Sequence, residues 1–298
     1  MMNRFKECIK LVGNTPLVNY KPNIYAKFEA YNPSGSIKDR IVFNIFNDAL
    51  KTGKINLDLN KKTTVIEASS GNTGISTAYV ASILNLPCKI VMPEDMSKER
   101  KDYIKYFGAE LIDADAGNFG QAIEIRDKLS EQNGWFNVNQ FNNQLNIDAH
   151  YETTGKEIID QLTDIGKIPD ILVTGAGTGG TIMGVSKRLK EINPNLRVVI
   201  LEPAESPVMS GGEPGLHQIQ GIGDGSKFLV DMNIVDNIET VKSIDAINKM
   251  KLLHKEGYFV GVSAAANILV AEKYSLKYPG LTIITFMCDR GDRYLSMV

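Results

Sequence analysis

Five short apolar runs, spaced by longer segments of helical period, limit this 298-residue chain to one broad kind of fold. The runs are Thr64-Val65-Ile66, Lys89-Ile90-Val91-Met92, Ile171-Leu172-Val173-Thr174, Val198-Val199-Ile200-Leu201 and Thr282-Ile283-Ile284-Thr285-Phe286. Near-continuous apolar character in so few residues predicts strands covered on both faces. The segments Thr73 to Leu86, Ser97 to Phe107, Gln121 to Gln132, Thr154 to Leu162, Thr181 to Ile192 and Asp245 to His254 read as helices. Alternation of this kind predicts an α/β protein with parallel-rich twisted sheets flanked by helices and joined by right-handed crossovers. Its binding loops should then lie at the carboxyl ends of the strands. A polar stretch rich in Asn and Gln, from Asn139 to His150, is expected to separate two β-α series.

A chain 43% hydrophobic with a formal net charge of −2 has the means to bury a large core and no electrostatic reason to seek nucleic acid or an anionic membrane. Small molecules are the expected partners. No apolar signal region or run of membrane-spanning length is present, so the expectation is a cytoplasmic protein. Cys8, Cys88 and Cys288 are odd in number and far apart, which speaks for small core hydrophobes rather than disulfides. His150, His217 and His254 lack metal-ligand spacing, and no metal is expected.

Lys38 stands out among the lysines. It follows the Pro/Ser/Gly turn Asn32-Pro33-Ser34-Gly35-Ser36 and precedes Ile41-Val42-Phe43-Asn44-Ile45-Phe46, a run too apolar for a free surface. An amine entering a core at that point can be desolvated, which favours its neutral, nucleophilic form and permits a Schiff base. Two later loops offer anion sites. Glu67-Ala68-Ser69-Ser70-Gly71-Asn72-Thr73-Gly74 runs from a strand into a helix and presents hydroxyls and N–H groups suited to a carboxylate, although the same residues make an ordinary capping turn. Gly175-Ala176-Gly177-Thr178-Gly179-Gly180-Thr181 lacks both the Walker lysine and the dinucleotide spacing. It suits a phosphate monoester, or else simply allows tight strand–helix packing. Ser210 to Gln220 has little helix or strand character and leads into Gly221-Ile222-Gly223-Asp224-Gly225, and long loops of that kind are often functional. Ser263 opens a further helix in Gly261-Val262-Ser263-Ala264-Ala265-Ala266-Asn267.

In this order, and with Val12-Gly13-Asn14-Thr15-Pro16-Leu17, Asn139-Gln140-Phe141, His150-Tyr151-Glu152-Thr153-Thr154-Gly155 and Arg293-Tyr294-Leu295-Ser296, the motifs resemble the cysteine synthase and cystathionine β-synthase family of pyridoxal-phosphate enzymes. The resemblance covers nearly the whole chain. It implies a tryptophan synthase β-like, fold type II architecture of two open sheets. A smaller, mobile domain would span 38–145, and a larger one 1–37 plus 146–298. It implies that Lys38 binds pyridoxal 5′-phosphate and moves the α-proton, and that Asn72 bonds the ring oxygen. Gly177, Thr178, Gly179, Gly180 and Thr181 would hold the phosphate, with Ser263 facing the ring nitrogen. Ser69, Ser70, Asn72, Thr73, Gln140 and Gly221 would meet the amino-acid substrate. The implied reaction is elimination and replacement at Cβ through an α-aminoacrylate. A homodimer is implied, and in some members the C-terminal peptide of serine acetyltransferase docks in the cleft.

One departure bears on specificity. Where cysteine synthases carry a small residue after the Gly-Ile-Gly turn, this chain has Asp224. A carboxylate there is suited to act as general base on an incoming nucleophile. The leading reading is consumption of L-cysteine with release of sulfide, water or another nucleophile being added with Asp224 as base. The alternative is synthesis of L-cysteine from O-acetyl-L-serine and sulfide, with Asp224 only a turn former. A regulatory role, binding the acetyltransferase peptide, is a further alternative.

Overall fold

The computed structural model describes residues 1–223 and 225–297. Ten strands form two sheets. The four-stranded sheet contains β3 (Val65–Ala68), β4 (Cys88–Pro93), β5 (Glu110–Ala114) and β6 (Phe136–Asn137), in the order β5-β4-β3-β6 and all parallel. The six-stranded sheet contains β1 (Leu17–Lys21), β2 (Ile24–Phe28), β7 (Ile171–Gly175), β8 (Arg197–Pro203), β9 (Asn237–Val241) and β10 (Ile283–Met287), in the order β1-β2-β10-β7-β8-β9. Only the β1–β2 pair is antiparallel. All five apolar runs are strands, and both sheets are built as a fold type II α/β protein requires.

Two physical causes hide strands from the apolar pattern. β5 and β9 are edge strands that leave half their side chains in water, so they carry no apolar run. β2 is interrupted by Lys27, which is fully buried; its amine reaches the Thr15 carbonyl at 2.6 Å, Gln161 at 2.9 Å and Glu157 at 2.7 Å. A buried cation is tolerated where such partners converge, and a hydropathy pattern cannot register them.

Ten α-helices cover the sheets: α1 (Met2–Cys8), α2 (Lys38–Lys51), α3 (Asn72–Leu84), α4 (Lys98–Tyr106), α5 (Phe119–Asn133), α6 (Gln144–Ala149), α7 (Lys156–Thr163), α8 (Gly180–Lys190), α9 (Ser243–Lys255) and α10 (Val262–Lys277). α2 buries Ile41, Val42, Phe43, Ile45 and Phe46 in one core with α3 and β3, each such side chain contributing about 1.5–3 kcal/mol. The Asn/Gln-rich stretch is largely helical: α6 continues into a π-helical turn at His150–Gly155. Gln140, Asn146 and His150 are buried, while Asn142 and Gln144 stay exposed. Asn143 caps α6 by accepting from Leu145 N, and buried Asn146 donates to Gln140 O and to Thr178 Oγ1. Between Pro203 and Met232 no helix or strand forms among the described residues, as expected of the Ser210 to Gln220 segment.

Candidate active site

Lys38 begins α2, and three separate anchors hold its turn in place. The Ile37 N–H donates to Cys288 O at 2.9 Å, Arg290 N donates to Gly35 O at 3.2 Å, and Ser36 bridges Asp289, so the turn is stitched to the end of β10. Gly35 adopts φ +88°, a conformation that favours glycine, and lies against the Arg293 guanidinium. The two residues after Lys38 are buried and fix the first helical turn. Asp39 accepts from Ser34 N and Ser34 Oγ. Burial pushes its carboxyl above the usual range, against the pull of those Ser34 hydrogen bonds. Arg40 makes a two-pronged contact with Glu29 at 2.7 and 2.8 Å and reaches Glu157 at 2.7 Å. Lys38 itself faces a cleft of about 760 Å³, part of which is open to solvent.

That cleft brings together Lys38, Ser69, Ser70, Asn72, Thr73, Gln140, Gly177, Thr178, Gly179, Thr181, Gly221 and Ser263. Gly180 stands just behind its wall as the first residue of α8. Asp224 lies outside the described residues.

The Ser69–Thr73 turn is rigidly built. Ser69 Oγ accepts from Gly71 N at 3.1 Å and from Gly74 N at 2.9 Å, so it satisfies an N–H in the first turn of α3, whose cap position is Gly71. Thr73 Oγ1 donates to Gln140 Oε1 at 2.6 Å. Gln140 is held in turn by Ala68 O and by Glu67, which pairs with buried Arg126 at 3.2 Å. Asn72 Nδ2 donates to Asp289 Oδ2 at 2.7 Å, leaving the buried Asn72 Oδ1 without a partner among the described residues.

The glycine turn is closely packed. Gly179 has φ +91°, and a Cβ there would meet Val230 N at 2.8 Å; one on Gly180 would fall 1.8 Å from Asn146 Oδ1. Tight packing therefore demands these glycines, and the same packing aims the α8 N-terminus, with its N–H groups, along the cleft wall. Behind it Thr181 Oγ1 lies 3.2 Å from His150 Nε2, and His150 Nδ1 lies 2.9 Å from Thr154 Oγ1. Burial, reinforced by Arg40 and Lys38, holds His150 well below its ordinary 6.5, so it is a neutral ring. At the opposite wall α10 is fixed by Asn267, which accepts from Gly175 N at 2.7 Å and donates to Phe286 O at 2.9 Å. Gly261 takes the cap position of α10 and leaves Ser263 facing the cleft beside Cys288. Burial pushes the Cys288 thiol up to about 12.

Sequence reasoning did not single out Arg100, Asn146, Asp289 or Cys288 for this site. Arg100 and Cys288 line it, while Asn146 and Asp289 brace it. Each looked ordinary along the chain, a charge on an amphipathic helix or a polar residue in a loop, and only the fold turns it inward.

A carboxylate-sized anion turn, a phosphate-sized turn at a helix N-terminus and a lysine between them are the parts that a pyridoxal-phosphate enzyme of fold type II needs. The model of the pyridoxal-phosphate dependent enzyme family matches residues 9–289, and the chain belongs to that family. Cysteine synthases, hydrogen sulfide-producing enzymes, an O-ureido-L-serine synthase and an O-acetylserine dependent cystathionine β-synthase are among its relatives. Cysteine synthase B of Campylobacter jejuni is 43% identical over 293 residues, covering 96% of each chain. A hydrogen sulfide-producing enzyme of Fusobacterium nucleatum superposes with a TM-score of 0.89 at 39% identity, covering 97% of this chain and 99% of that one. A second such enzyme, an aspartate-to-asparagine variant complexed with an α-aminoacrylate intermediate, gives 0.92 at 36% identity, covering 99% of this chain and 91% of that one.

The residues present suit the cofactor. The unpartnered Asn72 Oδ1, the donor-lined N-terminus of α8 and the neutral Ser263 hydroxyl are spread over the walls of one cleft with Lys38. No helix among the described residues is long and apolar enough to cross a membrane.

Proposed function

We propose that this enzyme consumes L-cysteine, releasing sulfide and adding water at Cβ to give L-serine. The observation that carries the reading is the acidic residue at position 224: Gly221 and Ile222, just before it in sequence, line the cleft that Lys38 faces. Pyridoxal phosphate, when bound, withdraws electrons from Cα so that the α-proton and then the Cβ substituent can leave. Lys38 removes and returns the proton at Cα. The Ser69–Thr73 turn and Gln140 hold the α-carboxylate, the Gly177–Thr181 turn holds the phosphate, and Ser263 meets the ring nitrogen with a hydroxyl. A neutral hydroxyl does not stabilise a protonated ring as a carboxylate would, which favours loss at Cβ over other fates of the substrate. Sulfur leaves as sulfide with one proton. Water supplies the new C–O bond, and Asp224 takes the proton that water loses. The small unit 38–145 closes over the bound substrate in this reading and excludes solvent.

Similarity to two hydrogen sulfide-producing enzymes supports this choice, one of them captured as an Asp-to-Asn variant. The 43% identity to a cysteine synthase B supports the second reading, synthesis of L-cysteine from O-acetyl-L-serine and sulfide. Product analysis separates them. With L-cysteine alone in ¹⁸O-labelled water, the first reading gives sulfide and labelled L-serine, and Asp224→Asn stops serine formation. If L-cysteine alone yields no sulfide while O-acetyl-L-serine plus sulfide yields L-cysteine, the second reading stands. A cytoplasmic homodimer and a cleft that accepts the serine acetyltransferase C-terminal peptide complete the proposal. Both are checked by the mass in solution and by competition of that peptide with substrate.

A further inference from the structure

Arg100 projects from α4 into the cleft wall behind the Ser69–Thr73 turn and is 1% exposed. Nη2 donates to Tyr294 Oη at 3.1 Å, and the guanidinium carbon stands 5.1 Å from the centre of that ring. Nε and Nη1 have no hydrogen-bond partner among the described residues. The turn lies directly on the guanidinium: a Cβ built on Gly71 would fall 2.3 Å from Nε and 3.0 Å from Cζ. A charged group taken out of water is costly, and the one partner of this guanidinium is a neutral hydroxyl that itself donates to Asp289 Oδ2 at 2.7 Å, so an anion meeting Nε and Nη1 directly would stabilise it further.

Which anion follows from the neighbours. The Gly177–Thr181 turn is packed on Asn146, His150 and Val230, whereas Arg100 touches Gly71 and Tyr294. The Ser69–Thr73 turn has no positive charge of its own. Its Ser69 oxygen already holds two backbone N–H groups, and Thr73 is engaged with Gln140. A carboxylate seated there draws its countercharge from Arg100.

We propose that Arg100 is a specificity-determining residue: its unmet N–H groups and its charge are completed by the α-carboxylate of the amino-acid substrate, so the enzyme selects amino acids whose α-carboxylate is free. The inference rests on the reading of the Ser69–Thr73 turn as the α-carboxylate site.

The test uses holoenzyme and two unreactive probes, L-alanine and its methyl ester, with affinity read from the shift of the cofactor's visible band. Wild type should bind the acid about 30-fold more tightly than the ester, the size of one charge-assisted hydrogen bond. In Arg100→Gln the acid should weaken to within about threefold of the ester, with ester binding unchanged. The affinity of the apoprotein for pyridoxal phosphate should stay within about threefold of wild type, because Arg100 serves the other end of the cleft. An Arg100→Gln protein that keeps the wild-type ratio overturns the proposal and leaves the enzyme reading intact. If Arg100→Gln and Arg100→Met both fail to fold, Arg100 is a brace for Tyr294 and the proposal falls. A wild type that binds acid and ester equally overturns the carboxylate assignment of the turn itself, and Arg100 with it.

Discussion

Lys38 and Gly71 show how single residues divide the labour of the cleft. In the reading proposed above Lys38 supplies chemistry, and Lys38→Ala should then cut turnover about a thousand-fold, the range of a lost acid–base group, and alter the visible spectrum of the bound cofactor. Absorption spectroscopy with steady-state assay reads both. Gly71 supplies room. Its φ of 170° lies outside the left-handed region, and the Arg100 guanidinium lies where a Cβ would go. Gly71→Ala should raise KM for the amino acid about tenfold or more while cofactor uptake persists, because the added methyl displaces the turn and not the phosphate site. Lys38 was legible because a turn followed by an apolar run is a local pattern. Arg100 was not, because nothing local separates a buried arginine on an amphipathic helix from a solvated one.

At the scale of elements, the strand–turn–helix unit of β7 and α8 fails or works as one piece. Gly180 and Asn146 are complementary: a side chain on the first collides with the amide of the second. Gly180→Ala should weaken pyridoxal-phosphate binding about tenfold or more. Adding Asn146→Ala should restore part of the loss, a coupling of about 1 kcal/mol between touching residues. Fluorescence titration of the apoproteins measures it, and strict additivity would sink the idea that this contact shapes the turn. The partner element, α6 with its π-helical turn, is the one that sequence reading took for a polar connection. Composition misleads there because its Asn and His side chains are consumed by internal hydrogen bonds with Gln140, Thr154, Thr178 and Thr181. π-helical turns often accompany functional sites, and this one backs the Gly177–Thr181 turn.

For the whole molecule, the cluster of Lys27, Glu29, Arg40 and Glu157 ties β2, α2 and α7 together beneath Lys38. Burial pushes the Glu157 carboxyl up, but Arg40 and Lys27 outweigh it and hold it at about 2, below its ordinary 4.5. Burial likewise opposes, and Arg40 overrides, at Glu29, which is also held low. A carboxylate with a depressed folded-state value stabilises fully above its unfolded value and loses that contribution as pH falls. Stability should therefore fall from about pH 4.5 towards pH 2, by about 3 kcal/mol from Glu157 alone. Thermal midpoints across that range should show a shallower acid limb in Glu157→Gln. At neutral pH, removing one member of the fully buried pair with Arg40→Met should cost about 3–5 kcal/mol in urea unfolding, because Glu29 is left charged without its main partner.

The α/β class, the five central strands, the helix-opening lysine and the two strand-to-helix turns at Ser69–Thr73 and Gly177–Thr181 are legible in the chain alone. Each of these is written in neighbouring residues, as apolar runs, capping residues and glycines whose effect is local. Edge strands, buried Lys27 and the inward face of the Asn/Gln-rich segment depended on partners distant in the chain. Folding alone sets Arg100 and Cys288 in the wall of the cleft that Lys38 faces, with Asn146 and Asp289 bracing it from behind. Their burial and charge take meaning from what packs against them: Gly71 against Arg100, Gly180 against Asn146, Asn72 and Tyr294 against Asp289. Contacts of that kind join distant segments, 217 residues apart at Asn72 and Asp289, and no pattern within one segment encodes them.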